Sequence, residues 1–354
     1  MKRFLLGMQS GLIVADESET GWLSSRRLEG MQPTAIAVDP GKPGRLYCAT
    51  YNRGLWRSED HGDHWRPIGG PLPYHEPHNG PEIPLLEMTS VAIAPSPNSK
   101  QWHDLYVGTE PSRLFHSDDG GDHWQELTGI QSMPSKAQWQ FPPRPYTHHV
   151  RWINSSPEDS ACLYVSIEFG ALLRSVDHGS TWHDRTADSP KDAHVLLSHP
   201  RAPGRLYAAC GDGYMEQGYS FGDSRDGGDS WHYTSAGLEE EPYLYGLAVN
   251  PADPDDIRVA AASSPRTAHG RLGSASVYCN VEQGWQRDSD GLPIEDSFIA
   301  VLAADPQQPG TFYALNNHGV FCQRGREETW QRIPLDWDDA YLDEHPMCLA
   351  VLDR

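Results

Sequence analysis

This 354-residue sequence has few basic residues, few long apolar runs and few paired cysteines. It holds 28 Lys and Arg against 49 Asp and Glu, a formal net charge of −21. A nucleic-acid backbone or an anionic membrane is bound by a basic face, so this balance argues against either partner. No apolar run approaches the length of a membrane-spanning helix. The apolar run that follows Lys2 and Arg3 is also too short for a signal peptide.

The six cysteines show no paired spacing such as C-x-x-C. Five of them fall within predicted strands and the sixth at the end of one, which predicts buried, reduced thiols rather than disulfides or a metal cluster. With no apparent secretion signal, the sequence predicts a cytoplasmic protein. The cysteines are Cys48, Cys162, Cys210, Cys279, Cys322 and Cys348.

An eight-residue pattern, S-x-D-x-G-x-x-W, occurs four times, at residues 58–65, 117–124, 175–182 and 224–231. The spacing of about fifty to sixty residues is a repeat period. In each copy the Gly permits a positive φ, the Asp can accept hydrogen bonds from backbone N–H groups, and the Trp supplies a large apolar ring. Because each of the first three copies follows an apolar strand, the octet is predicted to be a hairpin loop with a folding role rather than a catalytic one.

This octet resembles the Asp-box of the BNR repeat, which occurs in sialidases, sortilin-type receptors and photosystem-assembly factors. The resemblance covers nearly the whole chain. It implies a β-propeller in which each octet joins the third and fourth strands of a blade. It specifies the fold and not the function, because members of this group do unrelated things.

The strand pattern predicts six complete repeat units, which begin near residues 34, 90, 150, 194, 247 and 301. Residues 4–7, 11–15 and 21–24 match the second, third and fourth strands of a further unit, and residues 348–353 match its first strand. A blade shared between the two termini closes a ring of sheets and leaves no open edge. We therefore predict an all-β, seven-bladed β-propeller forming a single domain over residues 1–354, with six or eight blades as alternatives.

The loops on the face opposite the octets are expected to carry function, because there the repeats diverge. They lead into the first strand of each unit or join its second and third strands. Two of the first kind are unusually long: one contains residues 74–79, and the other spans residues 139–149. These loops are predicted to bring His, Arg and carboxylate side chains from several repeats to one central mouth.

One hypothesis for this mouth is a divalent transition metal, since neutral imidazoles suit zinc, copper or iron. The sequence has no compact ligand motif such as H-E-x-x-H, and the alternative is that these histidines cap strands or pair with carboxylates. Glu76 or Glu87 would complete the ligand set. The candidate ligands are His75, His78, His148, His149 and His194.

A second hypothesis is an anion site, in which arginines bind a carboxylate or phosphate and a nearby acid–base group acts on it. The alternative is that the arginines form ordinary surface pairs. The substrate-binding candidates are Arg144, Arg151, Arg266 and Arg271, with the aromatic residues Trp139 and Tyr214. The catalytic candidates are Glu168, His194 and Tyr146.

Sialidases carry an Arg-Ile-Pro segment near the start of their domain, so the position of this segment is a test for sialidase activity. Here Arg332-Ile333-Pro334 lies near the C-terminus, on a predicted outer strand, so the sequence argues against sialidase or other glycosidase activity. The leading hypothesis is a site that binds or transforms a small polar or anionic molecule, with or without a metal, by hydrolase or lyase chemistry. The alternative is a non-catalytic scaffold for a protein partner, which would show an exposed apolar patch. The oligomeric state is not predicted.

Overall fold

The structure, a computed structural model, describes residues 1–51, 53–68, 87–96, 99 and 101–354. In these residues the strands form seven antiparallel sheets, and the fold class is the predicted all-β, seven-bladed β-propeller. The chain divides into two compact units, one made of Met1–Glu29 with His194–Arg354 and the other of Gly30–Ala193. The expectation of a single domain over residues 1–354 stays a prediction.

The chain begins with three antiparallel strands: β1 (Lys2–Met8), β2 (Gly11–Ser18) and β3 (Gly21–Arg27). Every residue of β1 is buried, including Arg3. Arg3 lies opposite Asp16 in the ladder, and its Nε and Nη2 each donate to a carboxylate oxygen at 2.6 Å. A buried guanidinium is tolerated here because this two-point pair satisfies its charge.

The unit Gly30–Ala193 contains three sheets, of four, four and three strands. In the third sheet the position of the fourth strand is taken by an isolated bridge between Arg174 and His183. Two 3-10 helices, Thr128–Ser132 and Pro134–Gln138, follow the second sheet. The strands are β4 (Pro33–Val38), β5 (Leu46–Thr50), β6 (Gly54–Ser58), β7 (Arg66–Ile68), β8 (Met88–Ala94), β9 (Asp104–Thr109), β10 (Leu114–Ser117), β11 (Gln125–Glu126), β12 (Val150–Ser155), β13 (Leu163–Ile167) and β14 (Ala171–Ser175).

The second strand of each of these sheets, β5, β9 or β13, is buried along its whole length. These strands read as continuous apolar runs because both of their faces are covered. The first strands of neighbouring sheets are joined by side-chain hydrogen bonds: the hydroxyl of Thr89 donates to the carbonyl of Val150 at 2.7 Å. Strand ends of adjacent sheets are thereby held close together.

The remaining strands belong to the other unit, where four sheets include the one that begins with β1. The last strand pairs antiparallel with β1, as predicted for a blade shared by the two termini. The segment 263–271, expected as a loop, contains a short helix whose Ser264 and Thr267 form a reciprocal capping box. The elements are β15 (Ala193–His199), β16 (Ala202–Cys210), α1 (Asp212–Met215), β17 (Phe221–Ser224), β18 (His232–Tyr233), β19 (Tyr243–Val249), β20 (Ile257–Ala262), α2 (Pro265–His269), β21 (Ala275–Val281), β22 (Gly284–Arg287), β23 (Val301–Ala304), β24 (Thr311–Asn316), β25 (Gly319–Arg324), β26 (Gln331–Arg332), a 3-10 helix (Asp339–Asp343) and β27 (Pro346–Asp353).

The four octets adopt the same hydrogen-bonded loop, each directly after the third strand of its sheet. In the copy at 117–124, the hydroxyl of Ser117 donates to Asp119 Oδ1 at 2.9 Å and accepts from the N–H of Gly121 at 2.9 Å. Asp119 Oδ1 also accepts from the N–H of His123 at 2.9 Å, and Gly121 has a φ of +94°. The indole of Trp124 donates to the carbonyl of Gly121 at 3.1 Å.

The other three copies repeat the Ser–Asp and Ser–Gly contacts at 2.8–2.9 Å. The predicted roles of Gly and Asp are therefore confirmed in all four loops. The Asp collects backbone donors that the turn would otherwise leave without a partner.

All six cysteines are buried and free, as predicted. Among the described residues, no helix has the length and apolar character needed to span a membrane.

Asp119 and its neighbour Asp118 offer a matched test of the loop. Asp118 is exposed, whereas Asp119 accepts from Ser117, Asp122 and His123. We expect Asp119→Ala to lower the free energy of unfolding by about 1–2 kcal/mol, because several hydrogen bonds lose their shared acceptor. Asp118→Ala should stay within about 0.5 kcal/mol of the unsubstituted chain. Urea unfolding measures both, and equal losses would show that the octet does not depend on this carboxylate.

Candidate functional site

In the unit Gly30–Ala193, charged side chains cluster at the residues that directly flank first and second strands. Glu87 precedes β8 and Glu110 follows β9, while Glu168 follows β13. Asp192 precedes Ala193, where the next first strand starts. The N–H of Glu110 donates to the carbonyl of Glu87 at 3.0 Å, so antiparallel pairing places these positions at one end of the strands. We call Glu87, Glu110, Glu168 and Asp192 the acidic row.

Glu110 is the most tightly paired member of the acidic row. Its side chain is 1% exposed, and Arg144 donates to both of its oxygens, at 3.0 and 2.6 Å. The guanidinium of Arg144 also lies over the rings of Phe141 and Tyr51. A buried carboxylate needs such a two-point partner to stay charged. The long loop before β12 is therefore fixed to the row through Arg144.

Glu168 is more accessible, with a side chain 15% exposed. Its Oε2 lies 2.9 Å from His149 Nε2 and 3.4 Å from Arg151 Nε. The other ring nitrogen of His149, Nδ1, lies 3.8 Å from Glu110 Oε2, so the imidazole stands between two carboxylates. Glu168 is therefore in contact with one arginine and one histidine.

Asp192 is buried behind Glu168, and oxygens of the two carboxyl groups lie within 4.8 Å of each other. Its Oδ1 accepts from the N–H of Phe169 at 2.9 Å. Burial, and next the charge of Glu168, raise the pKa of Asp192 to about 7, against smaller opposing effects of Phe169, His149 and Arg151. Near neutral pH this pair therefore holds a proton that two isolated carboxylates would have released.

Glu87 also holds its proton more tightly than usual. Burial, and next the charge of Glu110, raise the pKa of Glu87 to about 7, although Arg144 and a hydrogen bond with Tyr51 act in the opposite direction. Within the described part of the chain, its Oε2 is buried and has no hydrogen-bond partner. The acidic row thus combines carboxyls that are protonated near pH 7 with carboxylates that are paired to arginine.

The remaining candidates of the loop 139–149 lie around this row. Trp139 is buried and its indole donates to Ser135 Oγ at 2.9 Å, so its ring supports the loop. His148 packs edge-on against Trp139 and accepts from the N–H of Ser112 at 3.3 Å, and burial lowers the pKa of His148 to about 4. Tyr146 is 59% exposed.

His75 and His78 lie outside the described residues, so the proposed metal ligands are only partly placed. His148 and His149 are adjacent in the chain, and His149 makes its contacts with Glu110 and Glu168. Metal binding stays a prediction.

In the other unit, His194 is buried and belongs to a chain of hydrogen bonds. Its Nδ1 lies 2.6 Å from the carbonyl of Leu244, and its Nε2 lies 3.3 Å from the hydroxyl of Tyr243. That hydroxyl lies 2.9 Å from His269 Nε2, and His269 Nδ1 lies 2.6 Å from His345 Nε2. Two of these rings, His269 and His345, were not singled out from the sequence as site residues.

The two arginines predicted in this unit do not join that chain. Arg271 is paired with Asp343 at 2.8 Å, and both side chains are largely exposed. Arg266 is an exposed residue of α2. Among aromatic side chains available for the exposed apolar patch of a scaffold, Trp139 and Phe221 are buried, whereas Tyr146 is 59% and Tyr214 48% exposed.

Sequence reasoning missed Asp192 and left Glu110 without a role. A signal was present: once the repeats are aligned, the residue after the second strand is Tyr51, Glu110 or Glu168 in successive units. The residue before the first strand is Glu87, His149 or Asp192. Titratable residues at equivalent positions of successive repeats were therefore the sequence signal for this site.

No family model matches the chain. The xyloglucanase Xgh74A of Acetivibrio thermocellus is 28% identical to it over 268 residues, which are 65% of this chain and 30% of that protein. The chain spans between 24% and 30% of the length of the curated relatives that it matches.

Two solved structures share the fold. The crystal structure of the GH74 enzyme of Niastella koreensis has a TM-score of 0.67 at 17% identity, over 92% of this chain and 51% of that one. YCF48 from Cyanidioschyzon merolae has a TM-score of 0.55 at 13% identity, over 87% of each chain.

These comparisons correct the functional expectation. The sequence argued against glycosidase activity, yet the curated relatives are xyloglucanases. The expectation was wrong because it tested for one feature of sialidases, an arginine clamp for a carboxylate on the sugar. A neutral glycoside needs no such clamp: two carboxyl groups in different protonation states are enough. The small-anion site and the scaffold are no better supported.

The buried pair of Asp192 and Glu168 predicts a pH-dependent stability. As pH rises from about 4 to 7, the unfolded chain releases the proton of Asp192 before the folded chain does, so folding loses stability. Asp192→Asn has no proton to release and keeps the acceptor for Phe169. Its stability relative to the unsubstituted chain should therefore increase by about 2–4 kcal/mol between pH 4 and 8. Urea unfolding across this range measures the difference. With the exposed control Asp118→Asn the difference should not change, and a constant difference for Asp192→Asn would contradict the assignment.

Proposed function

We propose that this chain is a glycoside hydrolase that cleaves a neutral glucan of the xyloglucan type, with the acidic row as its catalytic site. The observation that carries the proposal is the division of that row into carboxyls protonated near pH 7 and a more accessible carboxylate beside arginine and histidine. Glycoside hydrolysis needs this combination, an acid that still holds its proton and a carboxylate that has lost its own. The xyloglucanase relatives support the choice of substrate.

Glu168 takes the role of the ionised group, because it is the more exposed of the two paired carboxylates. Arg151 and His149 contact the Glu168 carboxylate and stabilise its negative charge. Asp192, which lies behind Glu168, keeps a proton and does not contact the sugar. As general base, Glu168 takes a proton from water while the oxygen of that water bonds to the anomeric carbon. His149 and Arg151 act as positioning residues in this scheme.

Glu87 takes the role of the general acid. Its proton passes to the glycosidic oxygen as the bond from that oxygen to the anomeric carbon breaks, and the leaving sugar departs as a neutral alcohol. The buried, unpartnered Oε2 and the neighbouring charge of Glu110 keep the carboxyl protonated until that step. Arg144 positions Glu110 and so tunes this acid.

The four octets are proposed to be Asp-boxes of the BNR type, as their common loop geometry supports. The cytoplasmic location and the roles first suggested for His194 and Tyr146 stay predictions.

Glu168→Gln tests the base. We expect kcat for xyloglucan oligosaccharides to fall by about 10²–10⁴-fold, the usual contribution of such a group. The matched control is Glu158→Gln, an exposed residue of the same blade in the turn between β12 and β13, at the other end of the strands. It should hydrolyse at the unsubstituted rate. Thermal unfolding confirms that both variants fold, and a Glu168→Gln chain of full activity would end this proposal.

The proposed acid is tested by pH and by the leaving group. Because Glu87 must be protonated, kcat/KM should fall about tenfold per pH unit above a pH of about 7. Glu87→Gln should lose most activity on oligosaccharides. It should keep most of its activity on a dinitrophenyl glycoside, whose leaving group departs without a proton. Equal losses on both substrates would show that Glu87 does not act as the acid.

A further inference from the structure

The unit formed by Met1–Glu29 and His194–Arg354 holds an open cavity that the proposed hydrolysis does not use. Its volume is about 690 Å³, within the range of small-molecule sites. The walls come from the loop around α1, the strand β18 and the segment leading to β19. The residues that matter below are Gly213, Tyr214, Ser220, Tyr233 and Glu239.

Ser220 is the feature of this cavity that requires explanation. The residue is 0% exposed, yet its hydroxyl has no hydrogen-bond partner among the described residues. Its backbone groups are already used: the carbonyl accepts from Cys210 at 2.9 Å, and the N–H donates to Ser235 Oγ at 3.0 Å. A buried hydroxyl without a partner costs free energy, so it points to a ligand that supplies the missing hydrogen bond.

Gly213 allows the backbone of α1 to lie close to this hydroxyl. A Cβ at position 213 would lie 2.3 Å from Ser220 Oγ and 2.5 Å from the carbonyl of Pro242. Any side chain there would collide with the hydroxyl and with a backbone oxygen that cannot easily move. Glycine is therefore the residue that leaves Ser220 at the cavity wall.

Aromatic rings give the cavity its apolar surface. The ring of Tyr214 is 48% exposed, and the half-buried Tyr233 is held by Tyr219 with ring centroids 4.6 Å apart. Such rings offer a flat face for the C–H groups of a pyranose, while hydroxyls and amides around them bind its hydroxyl groups. The pattern of flat apolar faces with polar groups at the edges matches a sugar.

The charge of the cavity wall favours neutral sugars over acidic ones. Glu239 contributes a carboxylate, and no Lys or Arg is found among the lining residues that the structure describes. An acidic sugar would meet repulsion without a cation to offset it. We propose that this cavity is a second, non-catalytic binding site for a neutral oligosaccharide, which packs on Tyr214 and Tyr233 and hydrogen-bonds to Ser220. This inference rests on the proposed function only for the choice of the oligosaccharide used as a probe.

The test is calorimetric titration of a neutral xyloglucan heptasaccharide into the full chain carrying Glu168→Gln, which prevents turnover. Adding Ser220→Ala should weaken binding about tenfold, the value of one hydrogen bond to a buried group. Stability should not fall, because the hydroxyl makes no bond in the free protein. Tyr214→Ala should weaken binding by at least about tenfold. The matched control is Met215→Ala, which removes the exposed neighbour outside the cavity wall and should change affinity less than twofold.

Unchanged affinity in both the Ser220→Ala and Tyr214→Ala chains would overturn the inference, as would an absence of binding. Tighter binding of a galacturonic acid trisaccharide would overturn the neutral class. The outcome is separable from the proposed hydrolysis. Binding that depends on Ser220 in a chain with no hydrolytic activity would keep this site and reject the catalytic proposal. If the chain hydrolyses the substrate but neither variant changes binding, the catalytic proposal is kept and this site is rejected.

Discussion

The carboxylate at the third position of each octet holds the turn of its blade together. In each copy it accepts from the Ser hydroxyl and from a backbone N–H four residues ahead. These hydrogen bonds, made within the octet, close the turn between the outer strands of a blade. Because the loop satisfies its own polar groups, the opposite ends of the strands are left free to differ from blade to blade.

At those opposite ends the chain keeps charged groups that a purely structural sheet would avoid. Glu110 is buried and has both of its oxygens bound by Arg144, and Asp192 keeps a proton because it is buried beside Glu168. Both arrangements cost stability compared with apolar residues of similar size. That cost is the usual mark of a functional site, and here it falls on residues that directly flank first and second strands.

The comparisons and the acidic row both support the proposed hydrolysis. The relatives are xyloglucanases that are 25–28% identical to this chain over 24–30% of their own length, whereas the similarity to GH74 structures at 17% identity or less speaks for the fold alone. The acidic row identifies particular carboxyl groups with different proton affinities, which similarity to other proteins cannot do.

The sequence by itself determined the all-β class, the seven blades and the blade shared by the termini. Each of these follows from local periodicity, and the Ser, Asp, Gly and Trp of an octet act within eight residues of one another. The site was determined only in part. Glu168 and His194 were recognised as candidates, but Asp192 and the hydrogen bonds that link His194 through Tyr243 to His269 were not. Their roles depend on burial and on contacts between residues as much as 49 positions apart, and desolvation by neighbouring strands exists only once the blades are packed.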